Sequence, residues 1–183
     1  MELSKYRVVY KDLLIEFCFQ NKYKMKRFKI VPLSETYAAK IKESNKDYFG
    51  NELIERIASG YGPCRVSLKP FVPGVDIRLL FSHSPFELNN AFNQQGPVFI
   101  HKKDVEAYKD VHRFPPEIKA DKINFPLTLI GYSKGQKMVF TKLVGEEDID
   151  LLIPEIFDEH PAVEYLHARN AAACCFICKI ERV

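Results

Sequence analysis

Two strand-like runs with a five-residue connection close this chain. Val163 to Arg169 and Cys175 to Arg182 are apolar and aromatic-rich, and Asn170-Ala171-Ala172-Ala173-Cys174 joins them. A link that short returns the chain antiparallel to itself, because a parallel crossover needs a dozen or more residues. The same logic recurs upstream, where Leu127 to Tyr132 and Met138 to Val144 flank Ser133-Lys134-Gly135. Period-two alternation then predicts faces. Val163, Tyr165, His167 and Arg169 should share one face of their strand, with Glu164, Leu166 and Ala168 on the other. Cys175 and Ile177 should point opposite to Phe176 and Cys178.

The remaining pattern supplies shorter pieces. Strands are expected over Phe28 to Val31, Cys64 to Lys69, Ile77 to Ser82 and Pro97 to His101. Pro73-Gly74 reads as a turn. Ser34 can cap a helix over Glu35 to Glu43, and a second short helix fits Glu52 to Ala58. Lys102 to Phe125 is polar and carries Pro115-Pro116, so it reads as a loop with one helical turn. Ile149, Leu152, Ile153 and Ile156 form a helical stripe behind the acidic Glu146, Glu147 and Asp148, with a kink or restart expected at Pro154. Hairpins outnumber helical crossovers. The expected fold is a single α+β domain: a mostly antiparallel sheet, a few short helices on one side and a C-terminal β-hairpin.

A chain of 183 residues, 46% hydrophobic and 28% charged, fits one globular domain. Its five cysteines, Cys18, Cys64, Cys174, Cys175 and Cys178, are an odd set. The apolar run from Val8 to Phe19 is broken by Lys11, Asp12 and Glu16, unlike a signal-peptide core or a membrane span. Reduced thiols in the cytoplasm are the expectation, with no membrane association. The net charge of +3 gives no field to draw a phosphate backbone, so no nucleic-acid partner is expected. Residues 1–24 hold five basic and three acidic residues, a different balance from the rest. They read as an N-terminal extension to a domain over 25–183. Val9, Leu13 and Phe17 suit a docked amphipathic helix, while Met25 suits a natural start. Both readings stay open.

Three ordered stretches carry a family resemblance: Pro63-Cys64-Arg65-Val66-Ser67-Leu68, Gly96-Pro97-Val98-Phe99-Ile100-His101, and Tyr165-Leu166-His167-Ala168-Arg169-Asn170-Ala171 followed by Cys175-Phe176. Together they resemble the bacterial domain-of-unknown-function family twelve-oh-three, over roughly Phe28 to the C-terminus. The resemblance implies no activity. It marks Cys64, His83, His167, Asn170 and Cys175 as positions that fit the family's pattern. The family tends to carry glycine where Cys174 stands here, and glycine there would permit a positive φ.

The polar residues set on these apolar strands are the candidate chemistry. Arg65, His167, Arg169 and Asn170, with Cys64, His83 and Cys175, suit a small polar or anionic ligand that an arginine fork would hold. An alternative is a thiol nucleophile, Cys64 or Cys175, with His167 as its base, in a hydrolase-like or redox enzyme. A third is an interaction protein that pairs through its sheet edge. No metal site is expected, because Cys64, His83, His101, His167 and Cys175 match no zinc spacing. Cys175 and Cys178 have the Cys-x-x-Cys spacing, but on a strand they should face apart. Cys174 and Cys178 would share a face about 13 Å apart, too far for a disulfide. No cofactor is expected, since phosphate-loop, serine-elbow and zincin motifs are missing. The sequence gives no oligomeric state.

Overall fold

A computed structural model describes residues 28–183. The two readings of residues 1–24 lie outside the described residues. Along the described chain the elements are β1 (Phe28–Val31), α1 (Glu35–Ser44), β2 (Ile54–Ile57), β3 (Ile77–His83), β4 (Gly96–His101), α2 (Pro116–Ala120), β5 (Leu127–Tyr132), β6 (Met138–Leu143), α3 (Ile149–Glu159), β7 (Tyr165–Asn170) and β8 (Phe176–Arg182). They form an antiparallel five-stranded sheet in the order β1-β8-β7-β5-β6 and a three-stranded sheet, β2-β3-β4, also antiparallel. The fold is α+β, with β7 and β8 as the C-terminal hairpin.

Two apolar cores follow. In the larger, Leu129, Leu166, Ala168, Cys178 and Ile180 from the main sheet meet Ile118 of α2 and Ile149, Ile153, Ile156 and Phe157 of α3. In the smaller, Ala38 and Ile41 of α1 pack with Cys64, Val66, Phe71, Leu79, Phe81, Val98, Ile100 and Phe176. The helices are therefore divided between the two cores. Ser34 caps α1 by accepting from the Tyr37 N–H, as expected. Gly131 allows β5 to pass under its neighbours: a Cβ there would lie 2.9 Å from both Phe140 Cβ and Val163 Cγ2.

Five local expectations are corrected. Glu52 to Ala58 is not helical, because Ile54–Ile57 pairs with β3 residue for residue, and so short a helix would be marginal alone. Cys64 to Lys69 is a tight turn rather than a strand. Pro63 and Pro70 bracket it, and proline cannot donate to a sheet ladder. The Leu68 N–H instead donates to the Cys64 carbonyl at 2.9 Å, with Leu68 at φ 54°. Of the kink or restart expected at Pro154, the restart does not occur: α3 is one helix through it, since only one ladder donor is lost and the flanking residues stay buried in the larger core. Val163 joins that core rather than the Tyr165 face, because β7 begins only at Tyr165. Finally, Phe176 and Cys178 do not share a face. The register pairs Phe176 with Arg169 but Cys178 with Ala168, which leaves Ile177 as an extra, bulged residue.

Candidate functional site

The β7 faces separate as alternation requires. Leu166 and Ala168 enter the larger core, while Tyr165, His167 and Arg169 project together from the opposite face. The register with β5 places Tyr132 beside Tyr165, and the bulge in β8 brings Phe176 beside Arg169. His167 thus sits among four aromatic rings, with centroids 4.7 Å away at Tyr132, 5.1 Å at Phe86, 5.1 Å at Phe176 and 5.2 Å at Tyr165. Phe86 comes from the loop between β3 and β4. That loop is held down by Gln136, whose Oε1 accepts the N–H groups of Glu87 (3.1 Å) and Leu88 (2.9 Å).

This buried face is short of partners. Neither ring nitrogen of His167 makes a hydrogen bond, nor do the Tyr165 hydroxyl and the Nε and Nη2 of Arg169. Nε and Nη2 form one edge of the guanidinium, the edge whose parallel N–H groups match a carboxylate or phosphate. Nη1, on the other edge, donates to the Cys174 carbonyl at 3.0 Å and steers the side chain. An unpaired buried polar group costs about 1–3 kcal/mol, so three such side chains on one strand face are a concentrated expense. Lys179, across from His167 in β8, holds its ammonium 4.7 Å from the Tyr165 ring centre. Burial keeps His167 neutral by lowering its pKa well below the usual imidazole value, and the nearby charges of Arg169 and Lys179 act the same way. Burial also raises the Tyr165 hydroxyl to about 12.

The other sequence candidates divide. His83, Cys175 and Arg65 border this face. His83 lies 5.6 Å from the Phe176 ring, and its Nδ1 is 3.3 Å from the Tyr37 hydroxyl. Burial, reinforced by the Arg65 charge, lowers His83 to about 4. Arg65 is fully committed: Nε donates to the Phe176 carbonyl, Nη1 to the Pro63 carbonyl and Nη2 to Cys175 Sγ at 3.3 Å. Asn170 turns away, its Oδ1 accepting from the N–H groups of Ala172 (3.0 Å) and Ala173 (2.7 Å) to shape the hairpin turn. Cys64 does not meet His167. Its thiol neighbours His101 at the end of β4, whose Nδ1 makes no hydrogen bond. The base expected for Cys64 is His167, but the imidazole beside it is His101, with Asp76 behind it, and sequence reasoning passed over Asp76 because nothing local marks it. Among the described residues no group of three histidine, cysteine, aspartate or glutamate side chains is arranged to hold a metal.

The Cys64 turn, the end of β4 and the β7–β8 hairpin all fall inside one family match, which covers residues 61–182 and is described as a protein of unknown function (DUF1203). The chain belongs to that family. The DUF1203 match begins later than the resemblance suggested, but it holds all three stretches that carried it. No curated protein and no solved structure shows a significant match to the chain. The DUF1203 description assigns no activity, so the chemistry at both places rests on geometry. Among the described residues no helix is long and apolar enough to cross a membrane.

Proposed function

We propose that this chain is a cytoplasmic binding domain with reduced thiols that takes up a small carboxylate- or phosphate-bearing molecule on the outer face of β7. The observation that carries the reading is the row of unpartnered polar atoms on Tyr165, His167 and Arg169. Arg169 supplies the fork for an anionic group. Tyr165 adds a donor, and neutral His167 adds one donor and one acceptor. Arg65, Arg169 and Lys179 bring positive charge near this face, which favours an anion over a cation. The aromatic rings around His167 favour a ligand with a flat or apolar body. Three surface grooves of about 400, 580 and 500 Å³ lie elsewhere and none is lined by His167. In this reading the ligand reaches His167 when the Phe86 loop, which packs on its ring, lifts.

Native mass spectrometry of freshly purified protein, followed by thermal melts in phosphate, sulfate and simple carboxylates at constant ionic strength, tests the reading. A retained small molecule, or a rise in Tm that the Arg169→Lys variant loses, supports it. Stabilisation should follow ligand concentration, reaching about 2.7 kcal/mol at a hundredfold excess over Kd. A bare chain that no anion stabilises would mean that water, not a ligand, meets these atoms.

A further inference from the structure

Chemistry converges a second time at the turn that carries Cys64. We propose that Cys64 is a peroxide-reactive thiol, positioned by His101 and Asp76, which is oxidised to a sulfenic acid.

The geometry is built from three chain segments. Pro63 and Pro70 close the turn, which buries Cys64 completely. His101 ends β4, and Asp76 lies just ahead of β3, its neighbour in the small sheet. Asp76 is fixed by accepting the Val72 N–H at 2.8 Å and by Lys103 Nζ at 3.1 Å. Its Oδ2 lies 3.3 Å from His101 Nε2. The ring of Phe71, 4.4 Å away, packs against the imidazole. With Nε2 given to Asp76, Nδ1 is buried and makes no hydrogen bond, so it is the ring nitrogen free to serve the neighbouring Cys64 thiol. The order thiol, imidazole, carboxylate is the arrangement that stabilises a thiolate–imidazolium pair.

The charged surroundings act in the same direction. Burial alone would raise the Cys64 thiol, but His101 and the N–H groups of Ser67, Val66 and His101 outweigh it and bring it down to about 7. Burial would likewise lower His101, yet Cys64 and Asp76 raise it above its ordinary value. Asp76 is held at about 2, first by the Val72 N–H and then by Lys103 and His101. The guanidinium of Arg65 is buried beside Cys175, Cys64 and Cys178, and its charge favours a thiolate at Cys64. Cys178 is a useful contrast: equally buried, but with no histidine, it is pushed up to about 12.

Access selects the substrate class. Cys64 is 0% exposed, while His101 forms part of the wall of two grooves. Ser67 lines one groove and Val66 the other, so the turn that carries Cys64 forms part of both walls while Cys64 itself stays behind them. A peptide or a bulky acyl group cannot reach it there. A molecule close to water in size can, through side-chain motion of His101, and hydrogen peroxide is the oxidant of that size. Cys64 Sγ attacks one peroxide oxygen and forms an S–O bond as the O–O bond breaks. The departing hydroxide takes the proton of the His101 imidazolium and leaves as water. The sulfur is oxidised by two electrons and the peroxide is reduced.

The test treats the whole folded chain with one equivalent of hydrogen peroxide, removes the excess with catalase, then unfolds the chain in dimedone, which traps any sulfenic acid formed, and maps the adduct by peptide mass spectrometry. Cys174 is exposed and Cys175 half-buried, so exposure alone predicts labelling there. Labelling at Cys64 ahead of both is the expected result. Labelling of Cys174 with Cys64 unmodified would overturn the proposal. The rate at Cys64 should reach half its maximum near pH 7. His101→Gln should slow it at neutral pH by at least about tenfold, because an ordinary thiol is only a few per cent ionised there. If that variant does not fold, the wild-type profile still decides: a rate that climbs only above about pH 8.5 refutes activation by His101.

Discussion

The ring of Phe86 stands edge-on to the imidazole of His167, with centroids 5.1 Å apart and planes at 67°. Phe86 is the only residue of the β3–β4 loop in the small aromatic cluster with Tyr132 and Tyr165, so that loop is what seals the β7 face. Gln136 is its latch, through two hydrogen bonds to loop N–H groups. Gln136→Ala should cost about 1–2 kcal/mol of local stability. Hydrogen exchange should then speed up across residues 84–95 while β7 and β8 keep their protection. Uniform loss of protection over the whole sheet would show that the loop is part of the global fold and not a cover.

Stability should fall on mild acidification because two buried histidines must stay neutral. Burial, with Arg65 nearby, holds His83 at about 4, and burial with Arg169, Lys179 and His83 holds His167 well below its ordinary value. In that window the unfolded chain binds more protons than the folded one, so stability declines as pH drops from about 6.5 toward 4. The slope is at most about 1.4 kcal/mol per pH unit for each histidine. His101 has a raised pKa, so it is protonated in both states across the lower part of this window and adds no slope there. Asp76, held at about 2, yields its contribution only as pH falls from about 4 to 2. Urea melts across this range should show the decline, and His83→Phe should flatten it. A stability that is level down to pH 4.5 would mean that these imidazoles accept protons freely in the folded chain.

The parts of this fold that the sequence shows are the local ones. Both hairpins are written in alternating residues and short turns, and the Tyr165, His167 and Arg169 face follows directly from that period. Ser34 is likewise a local signal for α1. The failures come where distant partners decide. Ile54–Ile57 is a strand only because β3 lies beside it. Cys64 to Leu68 has a strand's apolarity, and the signal against it was the pair of prolines at its ends. The Ile177 bulge leaves no mark in a run of apolar residues, yet it decides that Phe176 faces His167. Cys64 and His101 can both be picked out as candidates, but their pairing depends on how the turn packs against β4.

Cys174 sits at φ 56°, a left-handed conformation that costs a side-chain-bearing residue about 1–2 kcal/mol. The hairpin turn demands it: the Cys174 N–H donates to the Asn170 carbonyl at 2.8 Å while its own carbonyl accepts from Arg169. Because Cys174 is exposed, its side chain adds little packing in return. Cys174→Gly should therefore stabilise the protein, by on the order of 1 kcal/mol once the added freedom of the unfolded chain is counted. Denaturant midpoints of the two proteins check this, and an unchanged or lower midpoint would show that the thiol makes a compensating contact.

Arg65 and Arg169 should respond in opposite ways to the same substitution. Both side chains are buried, at 1% and 6% exposure. Arg65 spends every guanidinium nitrogen inside the protein, tying the Pro63 turn to the start of β8. A lysine carries one point donor group and cannot span both carbonyls and the Cys175 sulfur, so Arg65→Lys leaves buried acceptors unpaired. Each unpaired acceptor costs about 1–3 kcal/mol, and a loss of about 3 kcal/mol in urea melts is expected. Arg169 leaves Nε and Nη2 without a hydrogen bond, with the Tyr132 hydroxyl as the polar neighbour of the guanidinium, so Arg169→Lys removes donors that are largely unsatisfied. Its effect on folding should be within about 1 kcal/mol, because losing an unsatisfied buried group offsets the lost bond to the Cys174 carbonyl. Anion-dependent stabilisation should survive in folded Arg65→Lys protein and vanish in Arg169→Lys. The reverse pattern, with anion response lost only at Arg65, would move the binding edge from β7 to the Pro63 turn.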